Sequence, residues 1–283
     1  MSAPAVTSRL SFFSMGMPLR FLQTPLPSLR PDKSLLLRLL MLPNIALADV
    51  EGEENLPDVS GSPAIFAMNH NNSFESLFVP VLVMFLFKGQ RVSFVVDWMY
   101  GHLPVVGWLM RQIDPVFVHS KPSKLAFLER RRIRTRQDVV RKCLFRLFQG
   151  GSIGIFPEGK RNHDPELMLR AKPGIGHIAL RSGAPVIPVG IRFPASARLG
   201  RAPYVGRMGV RFGAPIRFDN LSVSYRKALD EGRRADAARM AAAAGDEVML
   251  AVAGLCGKAY PHAMQRPDRQ GTTNNIPEAI CPA

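Results

Sequence analysis

The chain has 283 residues, 47% of them hydrophobic, which is enough for one substantial core with appendages. Lys and Arg number 37 against 22 Asp and Glu, and the formal net charge of +15 favours anionic partners: acidic lipid headgroups, nucleic acid or an acidic protein. Cys143, Cys256 and Cys281 are widely separated with no CxxC spacing, which argues against a disulfide framework or a zinc site and fits a reducing cytoplasm.

From the N-terminus, residues 1–33 mix Phe, Met, Leu and Pro with Arg9, Arg20 and Arg30. Bulky apolar side chains beside cations suit either an unstructured leader or the surface of a bilayer. Leu35 to Leu42 (LLLRLLML) reads as a short helix before Pro43, with interfacial contact and core packing both open. Residues 1–50 are therefore taken as an N-terminal amphipathic helical, interfacial segment. No uninterrupted apolar run followed by a cleavage site marks a secretory signal. Leu77 to Phe87 (LFVPVLVMFLF) contains Pro80 and stops at Lys88, short of the roughly 18 to 20 residues a spanning helix needs, so no spanning helix is expected.

Short strands are predicted at Ala64–Met68, Val92–Val96, Val116–Val118, Ser152–Phe156, Val186–Gly190 and Met208–Phe212. Helices are predicted between several of them, at Ser73–Phe87, Val139–Gln149 and Gly174–Ser182, followed by an Ala-rich helix over Arg233–Ala253. This alternation implies an α/β fold over residues 51–260, with a mostly parallel central sheet flanked by helices and ligands gathered at the carboxyl ends of the strands. Glu129 to Arg136 (ERRRIRTR) is a basic run, and residues 261–283 are polar, Pro-containing and read as a flexible tail.

The first strand breaks off into Asn69, His70, Asn71 and Asn72, with Glu75 five residues after the histidine. On one regular helix that spacing is about 500° of rotation and would turn the two side chains roughly 140° apart. If His70 lies on the loop and the helix starts near Ser73, an N-cap type, Glu75 sits in the first turn and can fold back onto the imidazole. The helix dipole would then favour the carboxylate, and the carboxylate would fix the tautomer of a general base. The competing reading is a capping histidine beside a surface glutamate.

NHNNSFE, then Phe156–Asn162 (FPEGKRN), Lys172–Gly174 (KPG) and Ala184–Val189 (APVIPV), resembles in content and order the phospholipid and glycerolipid acyltransferase family that includes 1-acylglycerol-3-phosphate acyltransferases. The resemblance implies that His70 takes the proton of an acceptor hydroxyl, that Glu75 orients it, and that the hydroxyl attacks an acyl thioester with no covalent enzyme intermediate. It further implies acceptor binding by Glu158, Gly159, Lys160 and Arg161, with Asn69, Lys172, Gly174 and Pro188 in support. Glu75 stands where the family has Asp, Lys160 and Asn162 replace Thr and Ser, and His119-Ser120-Lys121 stands where an Arg is expected. Lys121, Lys124 or an arginine of the basic run is a substitute, and the acceptor headgroup can differ accordingly from glycerol phosphate.

The expected partners are thus a lysolipid acceptor, anionic membrane lipid, and acyl-CoA or acyl carrier protein as donor substrate, with no cofactor, no metal and no specific nucleic acid. The expected place is the cytoplasmic face of a membrane, peripherally bound. Alternatives are transfer to another hydroxylated lipid such as a lyso-aminolipid, or a non-catalytic protein binding lipid or nucleic acid. The GSIG stretch at Gly151–Gly154 does not match a nucleophile elbow, so Ser152 reads as a strand residue. Pro185 and Pro188 read as shaping their strand, and His102, His119, His163, His177 and His262 have no ligand spacing.

Overall fold

The structure is a computed structural model that describes residues 21, 23–57, 62–72, 75–102, 104–119, 129, 138–194 and 206–263. Its elements in chain order are α1 (Pro31–Leu47), β1 (Ala48–Glu51), β2 (Ile65–Met68), α2 (Glu75–Leu86), β3 (Val92–Asp97), α3 (Pro104–Ile113), β4 (Val116–Val118), α4 (Val139–Phe148), β5 (Ser152–Ile155), α5 (Gly174–Ser182), β6 (Val186–Arg192), β7 (Met208–Phe212), α6 (Asp219–Asp230) and α7 (Arg234–Cys256). Residues 1–20 and 22 of the expected leader, Ser73, the basic run at 130–136 with Lys121 and Lys124, and the tail beyond residue 263 lie outside the described residues.

The strands form one sheet in the order β1-β7-β6-β2-β5-β3-β4. β6, β2, β5, β3 and β4 are mutually parallel, whereas β7 runs antiparallel to β6 and carries β1 parallel beside it. The fold is therefore α/β with a mostly parallel sheet, as the alternation of elements implies. Because side chains alternate across a strand, β2 sends Ile65 and Ala67 to one face and Phe66 and Met68 to the other. The first pair joins a core with residues of α4, α5, α6 and α7; the second joins a core with residues of α1 and α2. With both faces covered, all four β2 residues are buried, which is why the strand reads as an unbroken apolar run.

Gly176 of α5 lets two helices meet on the first face. A Cβ there would lie 1.8 Å from the Ala241 carbonyl oxygen of α7, so only glycine permits this approach. On the other face, α1 corrects the sequence reading: it continues through Pro43 to Leu47 instead of ending before the proline. Pro43 has no N–H for the carbonyl one turn back, at Leu39, and that turn faces outward, with the Leu39 side chain 55% exposed. Inward-facing Leu37 and Met41 pack into the core, and Asn44 Nδ2 donates to the Phe78 carbonyl of α2 at 3.2 Å.

β1, with its charged ADVE sequence, escaped the search for apolar runs. Only Ala48 and Val50 are buried, and its pairing with β7 places it at the sheet's edge. The division expected between residues 50 and 51 consequently passes through a strand. Pro188 sits in β6, an interior strand, opposite Gly213 just past the end of β7. Its carbonyl accepts from Gly213 N–H at 2.9 Å, beyond the last residue of β7, so its own nitrogen faces that same end of the ladder.

Candidate active site

The strand order β6-β2-β5 brings three loops together at the carboxyl edge of the sheet. Asn69 and His70 leave β2, Phe156 to Asn162 leaves β5, and Ile191 lies at the end of β6. Asn69, fully buried, extends the β2 ladder with its side chain: Nδ2 donates to the Ile191 carbonyl at 2.9 Å and Oδ1 accepts from Ile191 N–H at 2.7 Å. Asn71 Nδ2 donates to the same carbonyl at 3.1 Å. The run of asparagines thus replaces strand pairing where the backbone turns away.

His70 is gripped through its backbone from the β5 loop. Its N–H donates to Glu158 Oε1 at 3.1 Å, and its carbonyl accepts from Asn162 N–H at 2.7 Å. The Phe156 ring lies against the imidazole, centroids 4.5 Å apart. The ring is positioned by Glu75: Nδ1 and Glu75 Oε1 are 3.0 Å apart, with Glu75 wholly buried and the His70 side chain 17% exposed. A carboxylate accepts, so Nδ1 carries the proton and Nε2 is left as the base.

Glu75 does more than face the histidine. The same Oε1 accepts from the backbone N–H groups of Asn71 and Asn72, the latter at 3.1 Å, while Glu75 N–H points to Asn72 Oδ1 at a long 3.4 Å. Asn72 and Glu75 are thus reciprocally bonded, the glutamate reaching back to the Asn72 amide in the manner of a capping box. Asn72 takes a capping role toward Glu75, while Ser73, the expected N-cap, lies outside the described residues. The competing reading of a surface glutamate does not hold, since Glu75 is wholly buried and bonded to the imidazole.

Burial raises the Glu75 carboxyl above its ordinary value of 4.5, opposed by the hydrogen bond and charge of His70 and by the amides of Asn71 and Asn72. Glu75 Oε2 has no hydrogen-bond partner among the described residues, so every bond it makes falls on the oxygen that holds His70.

Of the residues expected to bind an acceptor, Glu158 is spent internally. It is 1% exposed, with Oε1 on His70 N–H and Oε2 accepting from Leu169 N–H at 3.0 Å. Its buried carboxylate is satisfied by backbone donors, which makes it a positioning residue for the loop that carries His70. Gly159 adopts φ +68, and its α-carbon lies under the Lys172 stem, so a Cβ would stand 3.0 Å from Lys172 Cγ. Lys160 and Arg161 are exposed on this turn, Lys172 is exposed on the following loop, and Gly174 opens α5. Asn162 is buried: its Nδ2 donates to the Leu167 carbonyl at 2.7 Å and its Oδ1 accepts from Asp164 N–H at 3.1 Å. The sequence reading noted Asn162 only as a replacement for Ser and passed over Asn71. The density of Asn around His70 was the available signal for both.

Other nucleophiles are poorly placed. Ser152 Oγ accepts from Ala64 N–H at 3.0 Å inside the sheet. Cys143 is buried and its thiol is pushed up to about 12, chiefly by desolvation, and desolvation also raises the Cys256 thiol. His177 instead pairs through Nδ1 with Tyr225 Oη at 2.8 Å, away from the dyad. His102 and His119 flank the Trp98 ring. Among the described residues no group of His, Cys, Asp and Glu is arranged to hold a metal ion.

Below the dyad, α1, α2 and α3 enclose a groove of about 750 Å³. It runs from Ser76 and Leu77 at the start of α2, past Leu36, Leu40 and Met84, to Arg91 and Gly151 at the far end of the sheet. Leu35, Leu39, Leu42, Leu77 and Trp108 on the same three helices are 41% to 60% exposed.

The fold and site define an α/β protein that presents a buried-carboxylate, histidine-base dyad at its sheet edge. Residues 48–192 match the family model described as Acyltransferase, and the chain belongs to that family. Over 141 residues, half of this chain, it is 32% identical to a protein of Brassica napus described as a chloroplastic 1-acyl-sn-glycerol-3-phosphate acyltransferase, and 30% identical to one of Arabidopsis thaliana described likewise. The matches span 36% and 35% of those two proteins. The crystal structure of the 1-acyl-sn-glycerophosphate acyltransferase PlsC from Thermotoga maritima aligns at a TM-score of 0.46 with 20% identity, over 76% of this chain and 84% of that one.

Proposed function

We propose that the protein is an O-acyltransferase that moves a fatty acyl group from a thioester, acyl-CoA or acyl carrier protein, to a hydroxyl of a lysophospholipid of the 1-acylglycerol-3-phosphate type. The observation that carries this reading is the 3.0 Å contact of His70 Nδ1 with a buried Glu75, which leaves Nε2 as a base at the sheet edge. In the reaction, Nε2 takes the acceptor's hydroxyl proton as its oxygen bonds to the thioester carbonyl carbon. The tetrahedral adduct collapses, the C–S bond breaks, and the leaving thiolate takes the proton back from Nε2. The products are the acylated lipid and a free thiol, and His70 returns to its starting state. Glu75 stabilises the transient imidazolium and holds its tautomer.

Two further features support a lipid substrate. The apolar groove of about 750 Å³ starts one residue after Glu75 and falls within the roughly 300–1,000 Å³ of small-molecule sites. The exposed leucines of α1 with Trp108 present an apolar face on a chain of net charge +15, a combination suited to peripheral contact with an anionic bilayer. No described helix is long and apolar enough to cross a membrane. Lys160 and Arg161, exposed on the turn after β5, are the candidate contacts for an anionic headgroup. The residue pattern around them departs from the glycerol-phosphate form of the motif, which keeps another hydroxylated lipid as the alternative acceptor.

The test is an assay of the purified chain against a panel of lysolipids and hydroxylated lipids with both donor types. His70→Ala should abolish transfer while vesicle binding persists. Transfer that survives His70→Ala, or no transfer to any hydroxyl acceptor, would overturn the proposal.

A further inference from the structure

The segment that follows α7, outside the residues matched by the family model, reaches back into the catalytic loop. Gly257 ends α7 at φ +71, and its left-handed turn redirects the chain. The next three residues then lie across the loop that follows Asn162. Ala259 N–H donates to the Glu166 carbonyl at 2.7 Å, Met168 N–H donates to the Ala259 carbonyl at 2.9 Å, and Tyr260 Oη accepts from Ala171 N–H at 3.3 Å. Tyr260 Oη also donates to the buried Asp246 of α7 at 2.6 Å, which fixes the strap to its own helix.

Lys258 is the residue of this strap that meets the site. Its Nζ donates to Asn71 Oδ1 at 2.8 Å and to the Asp164 carbonyl at 2.6 Å. Asn71 is 2% exposed, and its other amide group is committed to the Ile191 carbonyl. The lysine therefore fixes the orientation of a side-chain amide whose backbone N–H is one of the three donors on Glu75 Oε1. Through Asp164 it also holds the loop whose Asn162 grips the His70 carbonyl. An ammonium suits this task because it supplies several donors and no acceptor, so one group can hold both oxygen partners at once.

We infer that Lys258 is a positioning residue for the His70–Glu75 dyad: it clasps the loop after β2 to the loop after β5, so that the region beyond the family match sets the geometry of the base. The inference rests on the acyl-transfer reading for its kinetic consequence, but not for its structural one. Lys258→Met keeps the stem and removes the ammonium, and Lys258→Arg restores a cation with several donors.

The structural readout is proton NMR of the ligand-free full chain. The His70 Nδ1 proton, held on Glu75, is assigned by its absence in His70→Ala. In Lys258→Met this resonance should shift or broaden, and in Lys258→Arg it should return toward the wild-type position. In the transfer assay kcat should fall about tenfold or more in Lys258→Met, with KM for the thioester unchanged and partial recovery in Lys258→Arg. Asn71→Ala removes the same link from the other side, and adding Lys258→Met to it should cost little more.

A folded Lys258→Met protein with an unaltered His70 resonance overturns the inference, as does full additivity of Lys258→Met and Asn71→Ala. If Lys258→Met does not fold, Asn71→Ala and Lys258→Arg decide by the same resonance. Absence of transfer in the wild type would refute the functional reading alone, since the resonance still tests the clasp.

Discussion

Replacing Glu75 by Gln keeps an oxygen that can accept from His70 Nδ1 and from the amides of Asn71 and Asn72, but removes the charge. The charge faces the imidazole at 3.0 Å across a contact in which Glu75 is wholly buried and His70 is 17% exposed. At an effective dielectric of about 20 the attraction between unit charges at this separation is about 5 kcal/mol. That attraction exists only while His70 carries the acceptor's proton, so it lowers the barrier and leaves substrate binding alone. Solvent at the histidine reduces it, and the expected loss is about 10² to 10⁴ in kcat with KM little changed. Glu75→Asp keeps the charge but withdraws it by one methylene, away from both Nδ1 and the Asn72 amide, and should lose rate together with helix-cap stability of about 1 kcal/mol. Initial rates of acyl transfer from acyl-CoA and from acyl carrier protein, with thermal melts of each variant, measure both effects. Wild-type kcat in Glu75→Gln would refute the assignment, and an Asp variant equal to wild type in rate and melting would refute the capping argument.

In the proposed scheme the hydroxyl attacks the thioester directly, so initial-rate patterns should be sequential; ping-pong patterns or a trapped acyl-enzyme would contradict it. Replacing Leu35 and Leu42 together by Ser, both outside the groove lining, should weaken binding to anionic vesicles, measured by sedimentation, while sparing turnover of detergent-dispersed acceptor; equal vesicle binding would remove α1 from the membrane contact. Burial lowers the His177 imidazole below its ordinary 6.5, so its contribution to stability is present above 6.5 and is lost as pH falls through the lower folded value. Urea midpoints should therefore drop below pH 6.5, and His177→Gln should flatten part of that drop; identical pH dependence in the two proteins would refute the assignment.

The sequence by itself determined the parts whose physics is local. Both faces of β2 and β5 are covered, so their strands are buried at every position and visible as short runs of apolar and small residues, and α5 and α7 were visible as helical stretches between turn residues. His70 and Glu75 were legible because their spacing, a strand end and a helix start are all encoded within a few residues. β1 was not, since a charged edge strand has a pattern only after β7 lies beside it. Likewise, Pro43 looks like a helix stop until packing of Leu37 and Met41 outweighs one missing hydrogen bond.

The tertiary structure alone decided what the polar residues of the motifs do. Glu158 follows its strand in a loop that a chain-order reading assigns to ligand, yet the adjacency of β2 and β5 turns its carboxylate onto the His70 backbone. Lys258 lies 187 positions from Asn71, and no local pattern links them. A hydrogen bond across the fold is set by where helices end and how strands are ordered. Those are properties of the packed whole, whereas propensity and periodicity are properties of neighbours along the chain.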